Sequence, residues 1–204
     1  MHIPKGTTAQ LELVTFHSAL QAANTPCEEY DISKWLYAPN FYSEYRYILG
    51  TRGEKPLICI GINPSTAQPG DLDNTLKSVE RIALGNGFDS FIMFNVYAQR
   101  ATDPDAMERT CNLALHRENM EAFRYVLSLG KCSTVWAAWG TIIEKRDYLP
   151  QCLRDMATIG QEMGASWCCA GKVSKNGHPH HPLYLRKDEK LKPFDIENYL
   201  ESFS

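Results

Sequence analysis

The sequence predicts an α/β fold, a three-layer α/β/α sandwich built around a central, mostly parallel sheet. Four short apolar runs lack the polar alternation of half-exposed strands, and segments with helical spacing of apolar residues separate them. Strands buried on both faces and joined through helices are typical of a parallel sheet that helices cover on each side. The four runs are LICIGI (57–62), SFIMFNV (90–96), STVWAAWG (133–140) and ASWCCAG (165–171).

The remaining elements follow from the same patterns. Residues 1–43 have mixed helical and irregular patterns, and we expect them to form an extension packed on an α/β domain of residues 44–204. EYRYIL (44–49) alternates like a strand beside the core. Apolar spacing predicts a helix within 73–87, one or two within 105–129, another over 141–157 and a closing helix over 193–203.

Composition excludes several protein classes. The 204 residues are 44% hydrophobic and 22% charged, with a net charge of −3, which is the balance of a soluble globular protein. No apolar run approaches the ~20 residues that span a bilayer, and the first ten residues lack the stretch of a signal peptide. We therefore expect a cytoplasmic monomer without a membrane partner. Seven cysteines without a CxxC spacing predict neither disulfides nor an iron–sulfur cluster, and no cofactor is expected.

Polar segments follow each of the four predicted strands. They are GINPST (61–66), NVYAQRATDP (95–104), WGT (139–141) and GKVSKNGHPHHPLYL (171–185). A plain turn explains one Gly-x-Asn-Pro, because Asn and Pro are common turn formers. Four such segments at the carboxyl ends of parallel strands predict a single ligand-binding crevice.

These segments resemble the uracil-DNA glycosylase superfamily. LICIGINPST (57–66) is similar to its first motif, in the GINPG form of the mismatch-specific uracil and thymine glycosylases, and FDSFIMFNVYAQRATDPDAM (88–107) is similar to a later segment of those enzymes. VWAAWG (135–140) corresponds to their third strand, and HHPLYL (180–185) lies where the superfamily has its second motif, commonly His-Pro-Ser. The chain also resembles a bacterial and phage family marked by NPSTA, RATDP and HPLY, over roughly residues 44–187. The resemblance implies a glycosylase-like fold and hydrolysis of an N-glycosidic bond.

The resemblance also implies roles for polar residues. Asn63 would orient the attacking water through its carbonyl oxygen, although the most efficient branch has a water-activating aspartate there. His181, or His178 in the same loop, would hydrogen-bond the carbonyl of the leaving base. Asn95 would read the edge of the flipped base through its donor and acceptor. Catalysis would therefore depend on positioning and on stabilisation of the leaving group.

Position 65 bears on substrate choice. The uracil-specific branch has a tyrosine after the motif-one proline, which excludes groups on pyrimidine C5, whereas this chain has Ser65. We expect C5-substituted pyrimidines to fit, including the bulky modified cytosines of phage DNA. Tyr97 or Tyr184 would stack on the base. The residues expected to bind substrate are Gly61, Ile62, Pro64, Ser65, Asn95, Tyr97, Arg100, His178 and Tyr184.

Several charged residues have two interpretations. In one interpretation, Asp71 or Asp73 supplies a general base; in the other, Asp73 or Asn74 is the N-cap of the following helix. We keep Asp73, with Asn63 and His181, as a catalytic candidate. Arg100 is either a phosphate clamp or part of a structural salt bridge. Six basic residues against two acidic ones give residues 172–192 a local excess of +4, which indicates a phosphate-facing patch or a solvated loop. The DNA phosphate candidates are Lys172, Lys175, Arg186 and Lys187.

The histidine-rich loop contains metal-ligand types without the usual ligand spacing. His178, His180 and His181, even with Cys168 and Cys169, are too closely adjacent for a zinc site, so no metal is expected. Trp136 and Trp139 lie in an apolar run and are predicted to be core residues.

Three function classes fit these residues. The first is a monofunctional DNA glycosylase that flips and excises a C5-substituted pyrimidine from duplex or single-stranded DNA, leaving an abasic site, in repair or in defence against phage with modified DNA. The second is a nucleic-acid-binding protein of the same fold without that activity. The third is a hydrolase of free modified nucleosides or nucleotides, which the acidic net charge suits better.

Overall fold

A single mixed sheet forms the centre of the computed structural model, which describes residues 1–130 and 133–203. Its order is β1-β2-β4-β3-β5-β6-β7. The four central strands, β4, β3, β5 and β6, are mutually parallel, β2 and β7 are antiparallel to their neighbours β4 and β6, and β1 is antiparallel to β2. The predicted α/β class with a mostly parallel sheet is confirmed. In chain order the strands are β1 (Trp35–Ala38), β2 (Ile48–Thr51), β3 (Pro56–Gly61), β4 (Ser90–Asn95), β5 (Thr134–Ala137), β6 (Ser166–Ala170) and β7 (Leu191–Pro193).

Helices cover both faces of this sheet and give it two cores. Ile58 and Ile60 of β3 face one core, whereas Leu57 and Cys59 of the same strand face the other. This alternation explains why the central strands are apolar at every position. Helix α2 packs on the second core, and the other α-helices pack on the first. The α-helices are α1 (Phe16–Ala23), α2 (Asn74–Gly85), α3 (Leu113–Leu127), α4 (Leu149–Glu162) and α5 (Ile196–Glu201).

Most predicted elements are present, with shifted ends where short 3-10 helices intervene. The four apolar runs form β3, β4, β5 and β6. The predicted helix over 141–157 is instead a 3-10 helix at Gly140–Lys145 followed by α4, and a 3-10 helix at Pro104–Ala106 precedes α3. The strand predicted at 44–49 begins only at Ile48, although Tyr45 forms an isolated antiparallel bridge with Gln99. Further 3-10 helices lie at Thr8–Gln10 and Pro182–Tyr184.

The segment of residues 1–43 contributes to the sheet itself. It contains β1, whose residues Trp35 to Ala38 pair with Thr51 to Ile48 of β2. Phe16 and Ala19 of α1 are buried in the first core. The sheet therefore continues across the division between residues 43 and 44. Within the described ranges, none of the helices combines the length and the apolar character needed to cross a membrane.

Candidate functional site

A cleft opens at the carboxyl ends of the parallel strands. Its cavity of about 450 Å³ is comparable with small-molecule sites, which occupy roughly 300–1,000 Å³. The segments that follow β3, β4, β5 and β6 all contribute to its wall, as does the start of α2. The predicted polar segments after β3, β4 and β6 thus meet at one place, as the parallel topology favours, whereas β5 contributes only the apolar Ile142, and Gly140 and Thr141 line a neighbouring cavity. The lining includes Arg46, Asn63, Ser65, Asp73, Thr102 and His181.

Asn63 is held in one orientation at this cleft. Its Nδ2 donates hydrogen bonds to the carbonyl oxygens of Ala101, at 2.7 Å, and of Pro64, at 3.1 Å. Both side-chain N–H groups therefore have acceptors, and among the described residues no donor bonds Oδ1. Because Asn63 lines the cleft and is only partly buried, that oxygen is the group left to accept a hydrogen bond from a ligand or a water.

His181 presents a hydrogen-bond donor to the same cleft. Its Nδ1 accepts a hydrogen bond of 3.3 Å from the backbone N–H of Leu183, at the start of the 3-10 helix Pro182–Tyr184. That bond places the proton of the neutral ring on Nε2. Burial lowers the pKa of His181, and the charge of Asp73 partly offsets this effect. The ring is therefore neutral at neutral pH, with an Nε2–H donor.

Asp73 is the N-cap of α2 and also lines the cleft. Its Oδ1 accepts a hydrogen bond of 2.9 Å from the backbone N–H of Leu76, so the capping interpretation is confirmed for Asp73 rather than for Asn74. The second carboxylate oxygen has no hydrogen-bond donor in the part of the chain that the structure describes. Asp71 is exposed and does not line the cleft.

Small residues after β3 give the cleft its width. Ser65 lines it, and its hydroxyl lies 3.1 Å from that of Thr102. Gly61 and Ile62 also line it, whereas Pro64 is buried beneath it. A Cβ atom on Gly61 would lie only 2.6 Å from the terminal methyl of Met93, so a larger residue at this position would require that flexible side chain to move.

Asn95 does not read a ligand, contrary to the prediction. Its side chain is 1% exposed and is not part of the cleft lining. The amide lies 3.3 Å from the carbonyl oxygens of Phe94 and Asn63, an arrangement that is favourable only with its nitrogen facing them. The main-chain carbonyl oxygen of Asn95 accepts a 3.0 Å hydrogen bond from Asn119 Nδ2. Asn95 therefore supports the backbone of Asn63 from within the core.

The two tyrosine candidates for base stacking differ in position. Tyr97 is fully buried, its hydroxyl donates to the Glu108 carboxylate and accepts from the Asn112 N–H, and its ring packs on Tyr148. These contacts remove Tyr97 from any ligand. Tyr184 is 75% exposed, with its ring centroid 6.1 Å from that of His181, and so lies at the rim.

Arg100 is buried away from a DNA phosphate, and it forms no salt bridge with any residue that the structure describes. It is fully buried, and its Nη1 donates to the carbonyl oxygens of Ser65 and Ala67. Its Nη2 donates to the Tyr37 hydroxyl at 3.0 Å, and its guanidinium lies 4.2 Å from the ring centroid of Tyr42. Arg100 thus fixes the turn that follows Asn63.

His178 is also occupied by contacts within the protein. Its Nδ1 lies 2.8 Å from the Tyr199 hydroxyl and its Nε2 lies 3.0 Å from Glu144 Oε1. Of the two histidines proposed to bind the leaving base, only His181 keeps a ring nitrogen for a ligand. Trp136 and Trp139 are fully buried, as predicted.

The basic patch lies beside the cleft. A second cavity of about 630 Å³ shares His181 and Ile142 with the cleft and is also lined by Lys172 and Tyr184. Lys172 and Arg186 line a further depression nearby. All four predicted phosphate contacts are exposed, and Arg186 lies 3.3 Å from the equally exposed Asp188. The four residues are Lys172, Lys175, Arg186 and Lys187.

Arg46 is a cleft residue that the sequence analysis missed. Its side chain is 1% exposed, lines the cleft, and donates from Nη1 to the carbonyl oxygen of Ala67 at 3.1 Å. The alternation in EYRYIL (44–49) gave no signal for it, because it places Arg46 opposite the apolar Tyr45 and Tyr47, and the residue precedes β2 in the structure.

Comparisons with known proteins identify one family. Residues 46–183 match the family described as "Protein of unknown function (DUF1643)", and these residues include the cleft-lining segments and most of the sheet. No curated protein and no solved structure matches the chain.

Proposed function

We propose that this chain, which belongs to the DUF1643 family, is a DNA glycosylase that extrudes a C5-substituted pyrimidine and hydrolyses its N-glycosidic bond. The proposal rests on one observation, that Asn63 and His181 line the same cleft. Among the described residues, Asn63 Oδ1 has no donor and the Nε2–H of His181 has no acceptor, so both can bind a ligand. The motif resemblance to uracil-DNA glycosylases supports the same reaction.

The reaction places different demands on the two sides of the cleft. The C1′–N1 bond breaks with its electron pair remaining on the base, the oxygen of a water adds to C1′, and a proton of that water passes to the base or to solvent. Asn63 Oδ1 holds the water, and the Nε2–H of His181 donates to a carbonyl oxygen of the departing base. Asp73, with one carboxylate oxygen free, stabilises the positive charge on the sugar or takes the proton.

Ser65 and the basic patch define the substrate in this proposal. The small side chain at 65 leaves room for a C5 group, and the exposed Lys172, Lys175, Arg186 and Lys187 contact DNA phosphates. Tyr184 at the rim stacks on the extruded base or its neighbour. A cytoplasmic location and a role in repair or in defence against modified phage DNA belong to the proposal as well.

A base-release assay tests the proposed function. The purified chain is incubated with duplexes that contain uracil, a thymine mismatch, hydroxymethylcytosine or glucosylated hydroxymethylcytosine, and abasic sites are revealed by alkaline cleavage. We expect release from at least one C5-substituted duplex, lost in Asn63→Ala and His181→Ala and retained in the exposed control His17→Ala. Tight DNA binding without release from any duplex would favour a binding protein, and turnover of free nucleosides alone would favour a nucleoside hydrolase.

A further inference from the structure

Arg46 is a buried cation without a salt-bridge partner among the described residues. In the described chain, no carboxylate lies within salt-bridge distance of Arg46 or of Arg100, the other fully buried arginine. The Nε of Arg46 is buried and has no hydrogen-bond partner, and Nη1 is satisfied only by the carbonyl oxygen of Ala67. Buried charges are ordinarily paired, because an isolated ion loses its hydration. Because Arg46 lines the cleft, its Nη2, which makes no hydrogen bond with any described residue, is the donor available to a ligand.

The start of α2 adds a second positive contribution to the same wall. Asn74 and Thr75, in the first turn of this 12-residue helix, line the cleft with Arg46. The N–H groups of a first turn point outward from the helix and carry its positive dipole end. Asp73 caps one of them, and its negative charge also acts on Arg46.

The local charge balance therefore favours an anion. The charge of one carboxylate, Asp73, acts on two guanidinium groups, Arg46 and Arg100, and burial together with the charge of Arg100 lowers the pKa of Arg46 to about 9. At neutral pH Arg46 is still protonated, so it carries a poorly solvated positive charge at the cleft wall. An incoming negative charge would relieve this cost.

We propose that Arg46 and the first turn of α2 form the subsite that receives the negative charge of the departing pyrimidine base. This inference rests on the proposed function and names the leaving-group site within it. When the C1′–N1 bond breaks, its electron pair spreads over N1 and the carbonyl oxygens of the base. The Arg46 guanidinium donates to such an oxygen, while a proton from the water that attacks C1′ later neutralises the base. Because the charge develops in the transition state, Arg46 acts on the rate more than on binding.

Single-turnover kinetics test this role through the dependence on the leaving group. We expect Arg46→Gln to slow uracil release by about 10²–10³-fold, the usual loss of one such donor, with little change in duplex affinity. The defect should be smaller for 5-fluorouracil, which leaves as a more stable anion, and Arg46→Lys should restore part of the rate. The matched control is Arg52→Gln, which removes a partly buried arginine that bonds backbone carbonyls elsewhere. An equal defect for both bases, or none, would overturn the assignment.

A binding experiment tests the subsite without catalysis. Thermal unfolding is followed in the presence of free 5-fluorouracil at two pH values, one below the pKa of that base and one above it, where the base is an anion. The higher pH stays below the pKa of Arg46, so that the guanidinium remains protonated. A parallel series uses inorganic phosphate instead of the base. We expect the anionic base to protect the wild type and Arg52→Gln but not Arg46→Gln. Equal protection of wild type and Arg46→Gln, or none, overturns the subsite, and Arg46-dependent protection by phosphate alone reassigns it to a nucleotide phosphate. A wild type that releases no base but binds the anion through Arg46 contradicts the glycosylase and leaves the anion subsite standing.

Discussion

The side-chain nitrogen of Asn63 donates a 2.7 Å hydrogen bond to the main-chain oxygen of Ala101, which joins the segment after β3 to the segment after β4. The contact requires a donor, which an aspartate at neutral pH lacks. It therefore explains why an amide at this position is compatible with a water-positioning role, whereas a carboxylate would face two carbonyl oxygens, those of Ala101 and Pro64.

Replacement of Asn63 by aspartate should weaken the fold rather than create a stronger base. We expect Asn63→Asp to lower the free energy of unfolding by about 1–3 kcal/mol at neutral pH, because it removes both N–H donors and leaves their two acceptors facing a charge. Acidification, which protonates the introduced carboxylate, should recover part of this loss. Urea denaturation at several pH values measures both effects. The exposed Asn198→Asp is the control, and equal stability of the two variants would contradict the prediction.

Ser65 should determine whether C5-substituted bases enter the cleft. We expect Ser65→Tyr to abolish release of hydroxymethylcytosine and its glucosylated form while sparing uracil, because the larger ring fills the space beside Thr102. Ser65→Ala keeps the space and should keep the wild-type selectivity. The ratio of kcat/KM values for substituted and plain bases measures the change. A tyrosine variant that still releases the glucosylated base would show that the C5 group lies elsewhere.

Local patterns predicted the central sheet because its strands are buried on both faces. Leu57 to Ile60 are apolar without interruption, and that composition distinguishes them from surface strands. The edge strands β1 and β7 have four and three residues, too few for a period to be recognised. Asp73 was predictable as an N-cap because capping depends on neighbours in sequence.

The direction of polar side chains was not predictable in the same way. Asn95 ends β4 and Arg100 follows it, much as Asn63 follows β3, yet both side chains point into the protein and bond backbone carbonyls. A buried amide that satisfies the main chain and an amide that faces a ligand have the same sequence pattern. Arg46 shows the converse, because a charged residue on the polar side of an alternating segment is nevertheless buried and lines the cleft. Only the tertiary arrangement separates these cases.

The basic patch should contribute the salt-dependent part of DNA affinity. Each phosphate contact that is lost should reduce the slope of log K against log salt concentration by about 1. We therefore expect Lys172→Gln with Arg186→Gln to flatten the slope by about 2 for both modified and unmodified duplexes. Fluorescence anisotropy over a range of salt concentrations measures this. Arg117→Gln, an exposed change on α3, should leave the slope unaltered, and an unaltered slope in the double variant would exclude the patch.

The close approach of β2 and β4 should make Gly50 intolerant of a side chain. A Cβ atom there would lie 2.8 Å from the Cα of Ile92, and backbone of a central sheet cannot move aside. We expect Gly50→Ala to lower the free energy of unfolding by at least about 1–3 kcal/mol. Gly85→Ala, at the end of α2 in open space, should instead be neutral or stabilising by up to about 1 kcal/mol. Urea denaturation of the pair measures the contrast, and similar midpoints would contradict it.

The titration of His181 should make stability fall in mild acid. Burial lowers the pKa of this ring in the folded protein, whereas the unfolded chain has the ordinary value of about 6.5. Below that value the unfolded chain binds a proton that the folded protein does not, so the free energy of unfolding decreases as pH falls, until the lower folded pKa is reached. Protonation of Nδ1 would also break the bond from Leu183 N–H. We expect His181→Gln to lose less stability than the wild type over this window, measured by urea denaturation at a series of pH values, whereas parallel curves would show that His181 titrates normally.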